Sequence, residues 1–238
     1  MEPDYSGLKL TELVFGEMTG HYGETKPYVL DLMTSPEEPC PPRPLVLFLH
    51  GGGFSPHADR HQWYIPKFAR DLAARGWAVA APDYPVYDTH EEFWDFGLEP
   101  ACRKVSEAIE LSLKYLEERK AELSLDTSRL ALIGGSAGGL GSFYYLSSHP
   151  GVFRVFINLW GSPWILPDLA GFPPTLSVHG KRDTSVFYDF ERPIEEGLER
   201  LGIKHRLITL EKAKHTPMER YGEFMPYVLE YLEEGLRQ

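Results

Sequence analysis

Six short, mostly apolar runs punctuate the chain, at residues 45–49, 77–81, 130–133, 155–159, 175–178 and 207–210. A strand with one face in water alternates apolar and polar residues, whereas a strand covered on both faces reads as an unbroken apolar run. The first run, Leu45-Val46-Leu47-Phe48-Leu49, contains no polar residue. Segments with helical spacing separate most of the runs. Residues 63–75 form one and stop at Gly76, a residue suited to the left-handed turn after a helix. Residues 100–123 form a longer one, with Val105, Ile109, Leu113 and Leu116 on a single stripe. Residues 137–147, 190–201 and 221–236 complete the series. This alternation predicts an α/β fold with a mostly parallel, doubly wound sheet, and such sheets carry their sites at the carboxyl ends of the strands. Two alternating segments, 8–15 and 28–33, read as an antiparallel hairpin and bring the expected count to about eight strands.

Composition narrows the function. The chain of 238 residues is 42% apolar and 13% aromatic, enough to bury a core, so disorder is excluded. The length suits a single domain: residues 1–44 as N-terminal strands plus a Pro-rich surface connection at 35–44, and residues 45–238 as the core. A formal charge of −11 repels phosphate backbones, so nucleic acid is not an expected partner. No apolar run is long enough to span a bilayer, and the acidic Met1–Asp4 segment lacks a signal-like core, so no membrane partner and a cytoplasmic location are expected. Two cysteines, Cys40 and Cys102, give neither a disulfide framework nor metal-ligand spacing.

The chemistry concentrates at two strand ends. After the 130–133 run comes Gly134-Gly135-Ser136-Ala137-Gly138, a G-x-S-x-G placed between a strand and a helix. Small residues there permit a tight turn that presents the Ser136 hydroxyl above a helix N-terminus. After the 45–49 run comes His50-Gly51-Gly52-Gly53-Phe54, where glycines allow backbone N–H groups to approach an oxyanion. Either motif alone is also consistent with an ordinary glycine turn; together, and in this context, they point to nucleophilic catalysis.

These residues resemble those of the α/β-hydrolase superfamily, particularly carboxylesterases with an HGGG oxyanion loop, of the hormone-sensitive-lipase-like and carbohydrate-esterase-like branches. The resemblance runs from Leu45 to the C-terminus. It includes Ala81-Pro82-Asp83-Tyr84, Ser128-Arg129-Leu130, His179-Gly180-Lys181-Arg182-Asp183 and Ala213-Lys214-His215-Thr216-Pro217. The resemblance implies that the amides of Gly52, Gly53 and Ala137 form an oxyanion hole. The order Ser, acid, His makes Asp183 the expected acid and His215 the expected base, with Glu211 the least unsuitable substitute for the acid. Phe54, Tyr84, Leu140, Trp160, Trp164 and Met218 are the candidate substrate contacts.

Other conspicuous residues have plainer readings. His57, Asp59 and His61 fit a solvated loop, since no third metal ligand is evident. His50 is expected to be structural, His179 to cap a strand, His205 to lie at the surface and Cys102 to be a buried small hydrophobe. Only residues 164–174 separate the fourth of the six expected core runs, 155–159, from the fifth, 175–178, and Ser136, Asp183 and His215 are spaced by 47 and 32 residues. That compactness is similar to dienelactone-hydrolase-type and small carbohydrate-esterase-type members rather than capped lipases. The one segment with room to cover the site is 84–100, with Tyr87, His90, Phe93, Trp94 and Phe96, equally readable as a small lid or as packing. The expectation is a serine carboxylesterase for short-acyl or aryl esters, with a small-molecule ester as its partner. No metal and no organic cofactor are expected, and a homodimer is left open. An amidase or formamidase of the same superfamily is the alternative within enzymes. A catalytically dead ligand-binding member is the alternative outside them.

Overall fold

The computed structural model describes residues 2–37, 41–89, 92 and 97–237. Its strands are β1 (Lys9–Thr19), β2 (Thr25–Thr34), β3 (Arg43–Leu49), β4 (Ala78–Pro82), β5 (Leu125–Gly135), β6 (Val155–Leu159), β7 (Thr175–Gly180) and β8 (His205–Leu210). They form one sheet in the order β1-β2-β4-β3-β5-β6-β7-β8. β1 pairs antiparallel with β2, and β2 antiparallel with β4. All the other pairings are parallel. The helices described are α1 (Ile65–Ala73), α2 (Leu98–Glu118), α3 (Ala137–Ser148), α4 (Glu191–Arg200) and α5 (Tyr221–Leu236). No helix among the described residues is long and apolar enough to cross a membrane.

The apolar runs are unbroken because helices cover both faces of the sheet. Leu45, Leu47 and Leu49 of β3 pack with Val105 and Ile109 of α2, Phe143 of α3 and Ile194 of α4. Their neighbours Val46 and Phe48 point the other way, against Phe68 of α1 and Phe224 and Val228 of α5. The two-residue period of the strand thus splits one sequence run between two cores.

Two boundaries differ from the sequence reading. β5 begins at Leu125 rather than near 130 because the polar segment before the apolar run also pairs with β3. The register slips there, from Pro44 opposite Asp126 to Leu45 opposite Leu130. Asp126 holds the bulge, accepting from Ser128 N (3.1 Å) and Arg129 Nε (2.6 Å). α2 ends at Glu118, and the chain turns through Ser124, whose φ is +53°, into β5. The connection between β2 and β3 contains residues 38–40, including Cys40, outside the described residues. Of the expected lid segment, His90, Phe93, Trp94 and Phe96 also lie outside them, whereas Tyr87 is fully buried and stacked on His21 at 3.9 Å.

The end of β3 and the start of α3 touch through glycine. A Cβ on Gly138 would sit 2.4 Å from the Leu49 carbonyl oxygen and 2.5 Å from that of His50. Real Cβ atoms do not approach backbone that closely, so only glycine lets the helix rest on the strand end. This contact sets the glycine loop beside Ser136.

Candidate active site

Ser136 occupies the turn between β5 and α3 with φ +50° and ψ −118°. That backbone conformation is costly for a residue with a side chain and is held only where surrounding bonds over-determine it. Here the Ser136 amide donates to Leu159 O (2.9 Å), and Ser136 O accepts from the Leu140 amide (3.0 Å). The hydroxyl Oγ lies 2.9 Å from Nε2 of His215, and His215 Nδ1 lies 2.7 Å from Asp183 Oδ2. Because Nδ1 faces a carboxylate it carries the hydrogen, which leaves the Nε2 lone pair to accept from the serine hydroxyl.

The loops after β7 and β8 bring Asp183 and His215 together. Lys181 N donates to Leu210 O (3.0 Å) and Arg182 N to Ala213 O (2.9 Å), lacing one loop to the other. The Asp183 side chain is fully enclosed, while that of His215 keeps 23% of its surface. Asp183 Oδ1 accepts from the amides of Ser185 (2.8 Å) and Val186 (3.0 Å). Burial alone would raise this carboxyl, but hydrogen bonds from His179, His215 and the Val186 amide outweigh it. They hold Asp183 well below the usual carboxylate range.

The glycine loop is braced from behind. Gly51 N donates to the Tyr64 hydroxyl (2.9 Å), and the Tyr84 hydroxyl donates to His50 O (2.7 Å). The His50 ring stacks on Tyr84 at 4.0 Å, and its Nδ1 lies 2.9 Å from Gly51 O. Burial lowers the His50 pKa, which keeps the ring neutral and suits a structural part. Gly52 has φ +112°, and a Cβ there would strike Ala58 at 2.4 Å, so the turn requires glycine. A Cβ on Gly51 would lie 3.1 Å from Ser136 Cβ, which measures how closely the loop abuts the serine. Among the described residues, the amides of Gly52, Gly53 and Ala137 have no protein acceptor. Donors left open beside a serine hydroxyl are suited to an oxyanion.

The expected substrate contacts fare less well. Trp160 has no exposed surface and packs between Tyr64 (5.9 Å) and Phe224 (6.3 Å), so it belongs to the core and not to a binding surface. Its position after β6 suggested a pocket wall. The residue has φ +48°, and its ring is enclosed among core aromatics instead. Phe54, Tyr84, Leu140 and Met218 keep 1%, 2%, 5% and 5% of their surface and are likewise core residues with at most an edge presented outward. Trp164 is exposed, with Ile165, Leu166 and Phe187 forming the other exposed apolar residues of these loops. Lys181 is paired with Glu211 at 3.0 Å, which places Glu211 on the surface and away from the acid position.

His179 is not a strand cap. It is fully buried, with Nδ1 2.8 Å from Glu191 Oε1 and Nε2 2.9 Å from Val186 O and 3.2 Å from Asp183 Oδ2. Burial opposes the charged ring, but bonds to Asp183 and Glu191 push its pKa up to about 9. The spacing of His179 and Asp183 is visible in the sequence, but nothing there ties Glu191 to them. Arg60 was also missed: it donates to Asp31 Oδ1 (2.8 Å), Asp83 Oδ2 (2.6 Å) and Glu12 Oε2 (2.8 Å), and its amide to Asp83 Oδ1 (2.7 Å). In the 57–61 segment, Asp59 Oδ1 accepts from the His61 amide (2.9 Å), a local turn.

The comparisons with known proteins agree with this architecture. The BD-FAE family model matches residues 30–150, just over half of the chain, and takes in the glycine loop and Ser136. No curated protein matches the sequence. Among solved structures, the bacterial heroin esterase superposes with a TM-score of 0.75 at 19% identity, covering 99% of this chain and 86% of that one. MGS-M1, an α/β hydrolase from a Medee basin deep-sea metagenome library, gives 0.73 at 17% identity, covering 98% and 99%. The thermophilic esterase Est2 of the planctomycete Thermogutta terrifontis gives 0.73 at 19%, covering 98% and 94%, and is also known phosphorylated by paraoxon. Identities this low establish the fold alone. With eight strands in a mostly parallel sheet, helices on both faces and a family model that spans more than half its length, the chain belongs to the BD-FAE family of α/β-hydrolases.

Proposed function

We propose that the protein is a serine carboxylesterase acting on short-acyl or aryl esters. The observation that carries the reading is the chain of contacts from Ser136 Oγ to His215 Nε2 (2.9 Å) and from His215 Nδ1 to Asp183 Oδ2 (2.7 Å). Ser136 Oγ attacks the ester carbonyl as His215 Nε2 takes its proton. The tetrahedral oxygen is held by the amides of Gly52, Gly53 and Ala137, donors that need no reorganisation as charge develops. Collapse breaks the bond to the alkoxide, which leaves with the proton from His215. Water, deprotonated by the same imidazole, then attacks the acyl-enzyme and returns Ser136. Asp183 orients the ring and stabilises its cation without taking a proton.

The preference for small acyl groups rests on the connection between β6 and β7. Residues 160–174 contain no helix, so no helical cap rises there to enclose a long chain. The test is a series of p-nitrophenyl esters from C2 to C12 with the full chain and its Ser136→Ala variant. Turnover peaking at C2–C4 and abolished in the variant supports the reading. A maximum at long chains, or equal rates in both proteins, refutes it. Faster turnover of aryl formamides than of p-nitrophenyl acetate would assign amide rather than ester chemistry to the same site.

A further inference from the structure

Behind the Asp183 carboxylate lies a histidine that the proposed chemistry does not use. His179 is on β7, has no exposed surface, and meets an oxygen at each ring nitrogen. Nε2 lies between Val186 O (2.9 Å) and Asp183 Oδ2 (3.2 Å). A carbonyl oxygen can only accept, so Nε2 carries a hydrogen. Nδ1 lies 2.8 Å from Glu191 Oε1. That same oxygen also accepts from Asn158 Nδ2 (3.3 Å) and from Ser162 Oγ, a set of donors that matches an ionised carboxylate. With Nδ1 facing a carboxylate as well, the ring holds two protons and is an imidazolium.

Its surroundings are consistent with one buried cation between two anions. From β6 come Asn158 and, just beyond it, Ser162; from α4 comes Glu191, with the partly buried Glu195 one turn further on. The Tyr188 ring stands edge-on at 5.8 Å, with its hydroxyl tied to Thr209 of β8 at 2.6 Å. Among the described residues, the charged neighbours of the ring are therefore Asp183 and Glu191, with His215 on the far side of Asp183. Burial of such a ring is tolerated only when both nitrogens are paired, as they are here, whereas Glu191 Oε2 has no hydrogen-bond partner among the described residues.

We propose that His179 and Glu191 are positioning residues for the triad: a buried His179 imidazolium, neutralised by Glu191, clamps the Asp183 carboxylate so that Oδ2 meets His215. The proposal rests on the reading of Ser136, His215 and Asp183 as that triad. Asp183 is then held from four sides, by two loop amides on Oδ1 and by two imidazoles on Oδ2. Sharing Oδ2 with a permanent cation also restrains how strongly the carboxylate stabilises the transient charge on His215.

The test is the paired substitution His179→Gln with Glu191→Gln. It removes one cation and one anion together, so the formal charge is unchanged and polar side chains of similar reach remain. In the folded variant, His215 is the one imidazole left on Asp183 Oδ2, and no buried cation competes with it. The acid limb of kcat/KM for p-nitrophenyl acetate is expected to move up by about 0.5–1 pH unit. Looser positioning should lower kcat by about three- to tenfold. A purely structural cluster would lower Tm and leave both unchanged, which overturns the proposal. Should the variant fail to fold, 15N NMR of histidine-labelled wild-type protein decides: two protonated ring nitrogens on His179 at pH 7 support the clamp, and one bare nitrogen overturns it. A wild-type chain that hydrolyses no ester refutes the proposed function and the positioning role with it, while the proton count separately settles whether the imidazolium exists.

Discussion

Replacing Arg60 by methionine tests whether the loop carrying the glycines is fastened to the sheet by charge. The guanidinium bridges Asp31 on β2, Asp83 after β4 and Glu12 on β1 at 2.6–2.8 Å. Asp31 has no exposed surface, and its Oδ2 accepts no hydrogen bond among the described residues, so Arg60 is its main compensation. Removing one partner of a buried ion pair typically costs about 3–5 kcal/mol. The lower end applies here, because Asp83 and Glu12 are partly in water and His61 Nε2 stays 3.3 Å from Asp31. A loss of about 3 kcal/mol should lower Tm by roughly 6–12 °C in a domain of this size. Asp31 is raised above the usual carboxylate range by burial even with Arg60 in place, and without it the carboxyl rises further. A raised carboxyl is easiest to accommodate when protonated, so the penalty is present in full at pH 8 and shrinks as the pH falls towards 5. Differential scanning calorimetry of Arg60→Met against wild type over that pH range measures it, and Arg60→Met with Asp31→Asn should recover much of the loss. A penalty below about 1 kcal/mol, or one that grows on acidification, would show that charge does not fasten this loop.

The remaining expectations are simpler. Gly138→Ala forces a Cβ to within 2.4 Å of the Leu49 carbonyl, so the chain should lose at least about 3 kcal/mol or fail to accumulate folded, as read by urea unfolding. Asp183→Asn should keep the fold but lower kcat about 10³–10⁴-fold by losing the anion that selects the His215 tautomer, as read by steady-state kinetics. Because Asp183 is depressed in the folded protein, its stabilisation is present above the ordinary value near 3.8 and is lost as the pH falls through the folded value. The stability gap between wild type and Asp183→Asn should therefore narrow on acidification below about pH 4. Cys102 is 2% exposed and burial raises its thiol to about 12, so a Cys40→Ser protein should react with Ellman's reagent at pH 8 only once unfolded.

The fold was legible because its determinants are local. Runs such as Val155–Leu159 and the helix Tyr221–Leu236 announce themselves by period, and the structure places both within the limits read from the sequence. β5 was read short because its first residues are polar, and only pairing with Arg43 and Pro44 makes them strand. The residues now found around Ser136 were legible for a different reason: the two glycine motifs together, and the order of serine, acid and histidine after them, resemble the pattern of α/β-hydrolases. What escaped was whatever depends on two distant segments meeting. Nothing in the sequence joins Glu191 to His179, or Arg60 to Asp31, since each contact is made by the folded sheet. The burial of Trp160 was not legible because position along the chain says which loop a residue occupies but not which neighbours enclose its ring.

If Ser136 is a nucleophile activated by His215, it should be selectively phosphonylated. Mass spectrometry after treatment with a fluorophosphonate tests it directly, as stoichiometric labelling requires an activated hydroxyl and not merely a reachable one. The expected result is one adduct per chain, mapped to Ser136, with labelling of the folded His215→Ala protein slowed by several orders of magnitude. An adduct elsewhere, or labelling of His215→Ala at the wild-type rate, would contradict it.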